Sequence, residues 1–350
     1  MTDLGKFSAD LIEKLVYPHL GAQNSAVLVG PGHGRDNAVI QVGNNQVLIA
    51  TADPLSVIPA LGFKDSAYIS THLLASDLAT CGFPPQFLMV NLNLPPQMKN
   101  EEFEEYWKSM DSECKKLGIS IIGGHTGRYV GSDYTVVGGG VMMTLAPKQK
   151  YLTTTMSTPG DLILMTKGAA IAATALLSRV FPETIDKAFG NSFLKNAQRY
   201  LDKFSVVEDA LTAASVGLRE KGVTAMHDVT EGGLLGALYE LSEASQVGLE
   251  IELSKVIVPV EAKRVCDLFD ISPYSTLSEG TLIATVKTEQ FQEVQHALAA
   301  KGIRNAIIGR VTHRRKGRWV KTEGERQPLE KPSSDPYWKA YWRAVREGWK

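Results

Sequence analysis

The chain has 350 residues with 37 basic and 38 acidic side chains, which leaves a formal net charge of −1. This balance gives no electrostatic reason to expect nucleic acid or an anionic membrane surface as a partner. The length is typical of two domains, and no apolar run reaches the ~18–20 residues of a membrane span. Three scattered cysteines and an N-terminus unlike a signal peptide indicate a soluble cytoplasmic protein without disulfides.

The first half of the sequence alternates apolar periodicities with glycine-rich turns. Residues 8–17 predict a short helix, and residues 27–40 predict a strand, a glycine-rich loop and a second strand. Residues 47–51 predict a strand that ends at 52–54. The other elements predicted here are helices at 65–81 and 101–117 and strands at 86–93, 119–122 and 134–145.

A polar, threonine-rich stretch at 147–159 separates the two halves and predicts a domain boundary. We expect an N-terminal domain at 1–150, a C-terminal domain at 155–320 and an aromatic tail at 321–350. The second half has an α+β pattern. Its predicted elements are a strand and turn at 161–168, strands at 222–226, 249–253 and 281–287, and helices at 169–180, 191–199, 205–220, 261–269 and 289–301.

Two features lie near the end of the chain. Residues 310–321 are locally basic, which is consistent either with a phosphate or RNA contact or with a solvated hairpin. Their alternating flanks around Lys316 and Gly317 favour the hairpin. The tail carries apolar and aromatic side chains at helical spacing, which predicts a helix docked on its own core or on a partner subunit.

The sequence His-Asp-Val-Thr-Glu-Gly-Gly-Leu, which begins at residue 227, joins a predicted strand to a predicted helix. Thr230 is the expected N-cap, and Gly232 and Gly233 fall in the first helical turn. Free N–H groups and the helix dipole there suit an anion, most often phosphate. Asp228 precedes them as a cation ligand, and Glu231 would repel a bare phosphate unless Mg²⁺ is present. The alternative is a capped strand–turn–helix whose glycines allow tight packing.

Three further aspartates are candidate metal ligands. Asp36 follows a glycine loop, Asp53 follows a strand end, and Asp77 lies late in a predicted helix. Carboxylate oxygens of this kind suit Mg²⁺, although a single aspartate in such a place is more often a cap or turn residue. Their joint placement near glycine-rich segments predicts a nucleotide site. The loops match neither a Walker A motif nor a Rossmann fingerprint. The glycines concerned are Gly32, Gly34, Gly123, Gly124, Gly232 and Gly233.

Two histidines, His33 and His125, lie within glycine-rich segments and are candidates for phosphate or substrate contact. Local hydrogen bonding is the alternative interpretation of both. His227 adjoins an aspartate, and His72 lies on a predicted helix, where packing is expected. The histidine spacing does not match a zinc site.

Several longer stretches resemble the AIR synthase-related (PurM-like) superfamily, and the resemblance is nearest to the hydrogenase maturation factor HypE. It covers almost the whole chain. The stretches that carry it are Gly30-Pro31-Gly32 through Ile40, Thr51-Ala52-Asp53, Ala75-Ser76-Asp77-Leu78-Ala79, Glu243-Ala244-Ser245 through Ile251, Val265-Cys266-Asp267-Leu268, Ser278-Glu279-Gly280-Thr281-Leu282 and Ile308-Gly309-Arg310-Val311.

The resemblance implies a two-domain α/β (α+β) fold and a homodimer in which the N-terminal sheets of two subunits pair into a barrel. It also implies ATP and Mg²⁺ in a cleft beside the glycine loops. The resemblance implies Asp53 and Asp77 as metal ligands and puts Asp228 and the glycines after it beside the phosphates. The sequence pattern adds Asp36 to the metal ligands, and the residues assigned to catalysis are His33, His125 and Asp228. The residues assigned to the nucleotide are Gly32, Gly34, Gly123, Gly124, Thr126, Thr230, Gly232 and Gly233.

The sequence also departs from the family pattern. An expected acid is replaced by His125, Glu231 stands where HypE has arginine, and no cysteine follows Cys266, whereas HypE ends in a cysteine-bearing tail. We therefore expect an ATP/Mg²⁺-dependent enzyme that activates or phosphorylates an oxygen of a small amide, carbamoyl or phosphate-bearing substrate. The alternative is a non-catalytic nucleotide-binding maturation scaffold. The expected partners are a second copy and either a small molecule or a maturation protein.

Overall fold

The computed structural model describes Phe7 and residues 9–322, 324–331 and 334–350. Residues 1–6, where the sequence argued against a signal peptide, lie outside the described residues. The described strands are β1 Val27–Val29, β2 Ala38–Gln41, β3 Gln46–Ser56, β4 Phe87–Leu94, β5 Ser120–Arg128, β6 Val136–Pro147, β7 Leu162–Thr166, β8 Val223–Val229, β9 Gly248–Glu252, β10 Thr281–Val286, β11 Asn305–Thr312, β12 Arg318–Thr322 and β13 Glu325–Pro328.

Helices connect and cover these strands. The described α-helices are α1 Ala9–Leu15, α2 Gly62–Ala79, α3 Asn100–Leu117, α4 Ile171–Val180, α5 Pro182–Phe189, α6 Asn191–Gln198, α7 Val207–Val216, α8 Gly233–Ser245, α9 Val260–Leu268, α10 Phe291–Ala300 and α11 Pro336–Arg346. No helix within the described ranges is both long enough and apolar enough to cross a membrane.

The first six strands form one mixed sheet in the order β1-β2-β3-β6-β4-β5. Only β4 and β5 run parallel to each other, which is possible because α3 connects them. Alternate side chains of β3 and β4 are buried under α2 and α3. The opposite face carries exposed apolar side chains: Met89, Ile122, Val136, Val141 and Leu145.

The remaining strands form a second mixed sheet in the order β13-β12-β9-β11-β7-β10-β8. Strands β7 and β10, and β8 at the edge of this sheet, are buried almost throughout, which is expected for strands with helices on both faces. One hydrophobic core joins side chains of the first sheet to side chains of the second, including Leu88 with Met226 and Leu282. The two sheets therefore share packed apolar surface and hold the cleft between them in one geometry.

Four local predictions from the sequence are wrong. The strand predicted to end at 52–54 continues to Ser56, because Asp53 still pairs with Gly140 of β6. The glycine-rich residues 123–127 are part of strand β5, because they pair with β4. Helix α8 has its N-cap at Gly232, two residues after the expected Thr230. Strands β11 and β12 do not pair as a hairpin, because β9 lies between them.

The predicted tail helix is confirmed as α11, and it docks on its own chain. Tyr337, Ala340 and Ala344 are buried in a cluster with helices α4, α6 and α9. The N–H of Thr184 donates to the backbone oxygen of Lys350 at 2.7 Å, so residue 350 is also anchored. The aromatic spacing in the tail is therefore explained by packing within the chain.

We predict that Gly124→Ala destabilises the protein more than Gly123→Ala. Both glycines have positive φ, but a Cβ at Gly124 would lie 1.7 Å from the Val90 oxygen, whereas nothing lies within 4 Å of one at Gly123. Both variants carry similar backbone strain, and only Gly124→Ala adds a steric clash. In urea unfolding, Gly124→Ala should lower the free energy of unfolding by about 2 kcal/mol more than Gly123→Ala does. Equal losses would show that β4 and β5 do not approach this closely.

Candidate functional site

A cavity of about 360 Å³ lies between the two sheets, with both halves of the chain in its walls. The first half contributes the loop between β1 and β2, the middle of β3 and the end of α2. The second half contributes β8, the turn before α8 and α8 itself, and residues near both ends of the chain also line the cavity. The lining residues include Ile12, Tyr17, Gly32, His33, Gly34, Arg35, Asp36, Thr51, Asp77, His227, Glu231, Gly232, Glu240, Lys331 and Asp335.

The loop between β1 and β2 packs directly against α8. Gly34 has φ +69°, and a Cβ there would lie 2.6 Å from the backbone oxygen of Glu240. A side chain at this position would therefore separate the loop from the helix. The Arg35 side chain folds back over Gly32 and donates to the Gly30 oxygen at 3.1 Å. These two glycines bring the loop to the wall of the cavity.

His227 joins the two halves of the cavity. Its Nδ1 lies 2.8 Å from a carboxylate oxygen of Asp36, and its Nε2 lies 3.0 Å from Glu240. Burial opposes a charge on the ring, but the attraction and hydrogen bonds of the two carboxylates outweigh it and raise the pKa of His227 well above 6.5. The side chain is therefore an imidazolium that donates from both nitrogens. It binds the β1–β2 loop to α8 electrostatically.

The carboxylate of Asp77 is held in place at the end of α2. The Thr51 hydroxyl donates to it at 3.2 Å. The backbone oxygen of Asp77 accepts from the Asn37 side chain at 3.0 Å and from Thr80 Oγ1 at 2.6 Å. Asp53 lies two residues beyond Thr51 on the same face of β3, but it does not line the cavity. Of the predicted metal ligands, the structure thus brings Asp36 and Asp77 to one cavity.

The donor set is compatible with Mg²⁺. Among the described residues, Asp36, His227 and Asp228 place potential ligand atoms within 4.8 Å of one another. Both ring nitrogens of His227 already contact carboxylates, so Asp36 and Asp228 are the ligands that this group offers. Mg²⁺ prefers carboxylate, phosphate and water oxygens and needs one or two carboxylates. Asp36 and Asp228 therefore fit this cation, and Asp77 lies in the wall of the same cavity as Asp36.

The turn before α8 differs from its expected state, because its N–H groups already have acceptors within the chain. Gly232 N–H donates to Asp335 Oδ2 at 2.8 Å. Gly233 N–H donates to the Thr230 oxygen at 3.1 Å, and Leu235 N–H to the Tyr274 oxygen at 2.9 Å. Gly233 packs so closely on the Thr276 backbone that a Cβ would lie 2.7 Å from it. The glycine pair is thus explained locally by close packing.

His33 projects into the same cavity. Its Nε2 is buried and has no hydrogen-bond partner among the described residues. Burial lowers the pKa of His33, an effect only partly offset by the attraction of Glu240. The ring is therefore neutral at pH 7 and has a nitrogen available to accept a proton or a hydrogen bond.

The second glycine group lies elsewhere. Gly123, Gly124, His125 and Thr126 are exposed on β5, which is the edge strand furthest from β1. The His125 ring contacts the Tyr129 hydroxyl at 2.5 Å. Within one chain, these four residues do not share a cavity with the loop between β1 and β2.

Sequence reasoning missed Glu240, Lys331 and Asp335 as residues of the cavity. Glu240 lies one helical turn after Gly236 on α8, and its place in the sequence is typical of an acidic residue on a helix surface. Asp335 stands directly before a proline that begins α11, and this N-cap signal was detectable. Its bond to Gly232 joins positions 103 residues apart, which no local pattern indicates.

The three cysteines do not contribute a nucleophile to the cavity. Cys81, Cys114 and Cys266 are all free and buried. Burial raises the pKa of each thiol to about 12, so none is a thiolate near neutral pH.

The fold and cavity define a two-domain α/β protein of the PurM-like class. Residues 34–144 match the AIR synthase related protein, N-terminal domain, and residues 158–321 match the corresponding C-terminal domain. The chain therefore belongs to the AIR synthase related family, as the sequence resemblance predicted.

Sequence relatives of the chain are named for different roles. The chain is 25% identical over 336 residues to a hydrogenase expression/formation protein of Methanocaldococcus jannaschii, covering 95% of this chain and 96% of that protein. It is 24% identical to the selenide, water dikinase of Carboxydothermus hydrogenoformans, covering 81% and 86%. It is 25% identical to the carbamoyl dehydratase HypE of Cupriavidus necator, covering 71% and 70%.

Solved structures confirm the fold. A chain of the HypE–HypF complex superposes with a TM-score of 0.71 at 19% identity, covering 92% of this chain and 99% of that chain. ThiL complexed with AMPPCP and TMP superposes with a TM-score of 0.69 at 17% identity, covering 92% of this chain and 97% of that chain. HypE in complex with ATP gives 0.67 at 18%, covering 96% and 97%. At these identities the similarity establishes the fold alone.

We predict that Asp335→Asn removes a pH-dependent part of the stability. Burial raises the pKa of Asp335 to about 6, with the N–H groups of Tyr337 and Gly232 acting against it. Because this value lies above the unfolded one, the contribution to stability is present below about pH 4 and is lost as the pH rises through about 6. Across this pH range the free energy of unfolding of the wild type should fall by on the order of 2 kcal/mol relative to that of the variant. Urea unfolding at a series of pH values measures it, and a constant difference would contradict it.

Proposed function

We propose that the protein is an ATP- and Mg²⁺-dependent enzyme that activates or phosphorylates an oxygen of a small acceptor in the cavity between its two halves. The observation that carries the proposal is the meeting of Asp36, Asp77 and the Gly32–Gly34 loop around one cavity with His33. The related structures of HypE in complex with ATP and of ThiL complexed with AMPPCP and TMP support the choice of nucleotide.

The charge of the cavity supports a metal-bound nucleotide. Five carboxylates line it, those of Asp36, Asp77, Glu231, Glu240 and Asp335. Such a wall would repel a bare triphosphate, so the phosphates need a divalent cation between them and the acids. We assign Mg²⁺ to Asp36, Asp77 and Asp228, where it would neutralise charge on the transferring phosphoryl group.

The remaining site residues receive roles from their surroundings. Backbone N–H groups of the Gly32–Gly34 loop would contact phosphate oxygens, because this loop lines the cavity. Neutral His33 would accept the proton of the acceptor group through Nε2. His227 keeps Asp36 at the cavity wall and is a positioning residue, since both of its nitrogens are engaged.

We also propose a homodimer. The exposed apolar side chains of β4, β5 and β6 form a continuous sheet face that a second copy would bury. Such a dimer would cover Gly123, Gly124, His125 and Thr126, and we keep them as candidate nucleotide or catalytic residues on that basis. Three buried, unpaired cysteines support a reducing, cytoplasmic location.

A non-catalytic scaffold is the second candidate function. It is favoured by the closed turn before α8 and by the HypE–HypF complex among the related structures, which suggests a maturation protein as partner. An assay of ADP release distinguishes the enzyme from the scaffold. The protein is incubated with ATP, Mg²⁺ and, in turn, neutral amides, carbamoyl compounds and phosphate esters as acceptors. Turnover above background with any acceptor supports the enzyme, and tight ATP binding without turnover supports the scaffold.

We predict that Mg²⁺ and ATP together raise the melting temperature and that Asp77→Asn abolishes the Mg²⁺-dependent part. A ligand at a hundredfold excess over its dissociation constant stabilises the native state by about 2.7 kcal/mol. Asp267→Asn is the control, because Asp267 is exposed on α9 and lies outside the cavity, whereas Asp53 is itself a predicted metal ligand. Differential scanning fluorimetry measures both. A full Mg²⁺ response in Asp77→Asn would remove Asp77 from the metal site.

We predict that Val141→Glu converts the protein to a monomer. Val141 is 39% exposed on the apolar sheet face, and a buried unpaired carboxylate would oppose association. Val260→Glu is the control, because Val260 is 69% exposed at the start of α9. Light scattering should give a dimer for the wild type and the control. A dimeric Val141→Glu would place the interface elsewhere, and a monomeric wild type would refute the dimer.

A further inference from the structure

The tail segment that begins at residue 334 supplies an internal anion to the cavity. Asp335 is only 7% exposed. Its Oδ2 accepts from Gly232 N–H at 2.8 Å, and its Oδ1 accepts from Tyr337 N–H at 2.8 Å and from the Thr276 hydroxyl at 3.3 Å. Both Asp335 and Gly232 line the cavity. The carboxylate therefore occupies the place at the turn where a phosphate oxygen was expected.

The segment is held firmly in this position. The Trp338 indole N–H donates to Glu231 Oε1 at 3.3 Å, so α11 contacts two successive residues of the turn. Behind these contacts, Tyr337 is buried in the helical cluster. A ligand anion could reach the Gly232 amide only by displacing Asp335, and it would then meet Glu231 beside it.

We propose that Asp335 determines the charge of the acceptor this site admits: it fills the anion position before α8, so that the cavity takes an uncharged or hydrogen-bond-donating acceptor and excludes a phosphate ester. The inference rests on the proposed function and narrows its acceptor class. The nucleotide phosphates are left to the Gly32–Gly34 loop, which the first half of the chain contributes to the cavity. Asp335 is thus a specificity-determining residue, with no assigned part in the chemical step.

The test compares phosphate binding by three proteins. Asp335→Ser retains a good N-cap for α11 but is too short to reach Gly232, so it opens the amide with little effect on the helix. Asp335→Asn keeps an oxygen near the amide and serves as the matched control. Inorganic phosphate is titrated into each full-length protein saturated with AMPPCP and Mg²⁺, and the ¹⁵N–¹H signal of Gly232 reports local binding.

We expect phosphate to shift the Gly232 signal in Asp335→Ser with about tenfold or greater affinity over the wild type and Asp335→Asn. Equal affinity in all three proteins, or binding by the wild type at the Gly232 amide, would overturn the proposal. If AMPPCP does not bind, the proposed function fails by itself. The comparison of the serine and asparagine variants can still be made without nucleotide, because they differ only at position 335.

Discussion

The buried contact of His227 with Asp36 and Glu240 is the interaction on which the site depends. Asp36 belongs to the loop between β1 and β2, and Glu240 belongs to α8, so one imidazolium links the two halves of the chain. Removing one partner from a buried charge pair commonly destabilises a protein by about 3–5 kcal/mol. The position of Asp36 at the cavity wall therefore depends on its contact with His227.

The glycines around the cavity are first of all conditions for close packing. Gly34 lets its loop contact the backbone of α8, and Gly233 lets α8 begin against the Thr276 backbone. The same absence of side chains exposes N–H groups, which is why such positions resemble phosphate sites in a sequence. At Gly232 the expected phosphate position is already occupied, because Asp335 of the tail accepts a hydrogen bond from the Gly232 N–H.

Much of the fold could be predicted from the sequence. Periodicity located α2, α3, α8 and the tail helix, and the family resemblance predicted the two-domain PurM-like fold, which is confirmed. The predictions failed where tertiary pairing overrides local signals. Asp53 and Pro54 look like the end of a strand, yet pairing with β6 extends β3 past both. Residues 123–127 look like a loop, yet they pair with β4.

The candidate site was predictable only in part, and its residue assignments remain predictions. Asp36, Asp77, His33 and the first glycine loop were recognisable because their chemistry is local. The contact between His227 and Asp36 joins positions 191 residues apart, and the Asp335 contact also depends on the folded tail. No periodicity or motif spacing in the sequence connects residues so far apart, so only the folded structure shows that they line one cavity.

A crystal structure of the protein with AMPPCP and Mg²⁺ would locate the nucleotide phosphates relative to both halves of the chain. We expect phosphate oxygens at the Gly32–Gly34 loop, Mg²⁺ on Asp36 and Asp77, and Asp335 still bound to Gly232. A nucleotide bound outside this cavity, or a metal held without either aspartate, would contradict this expectation.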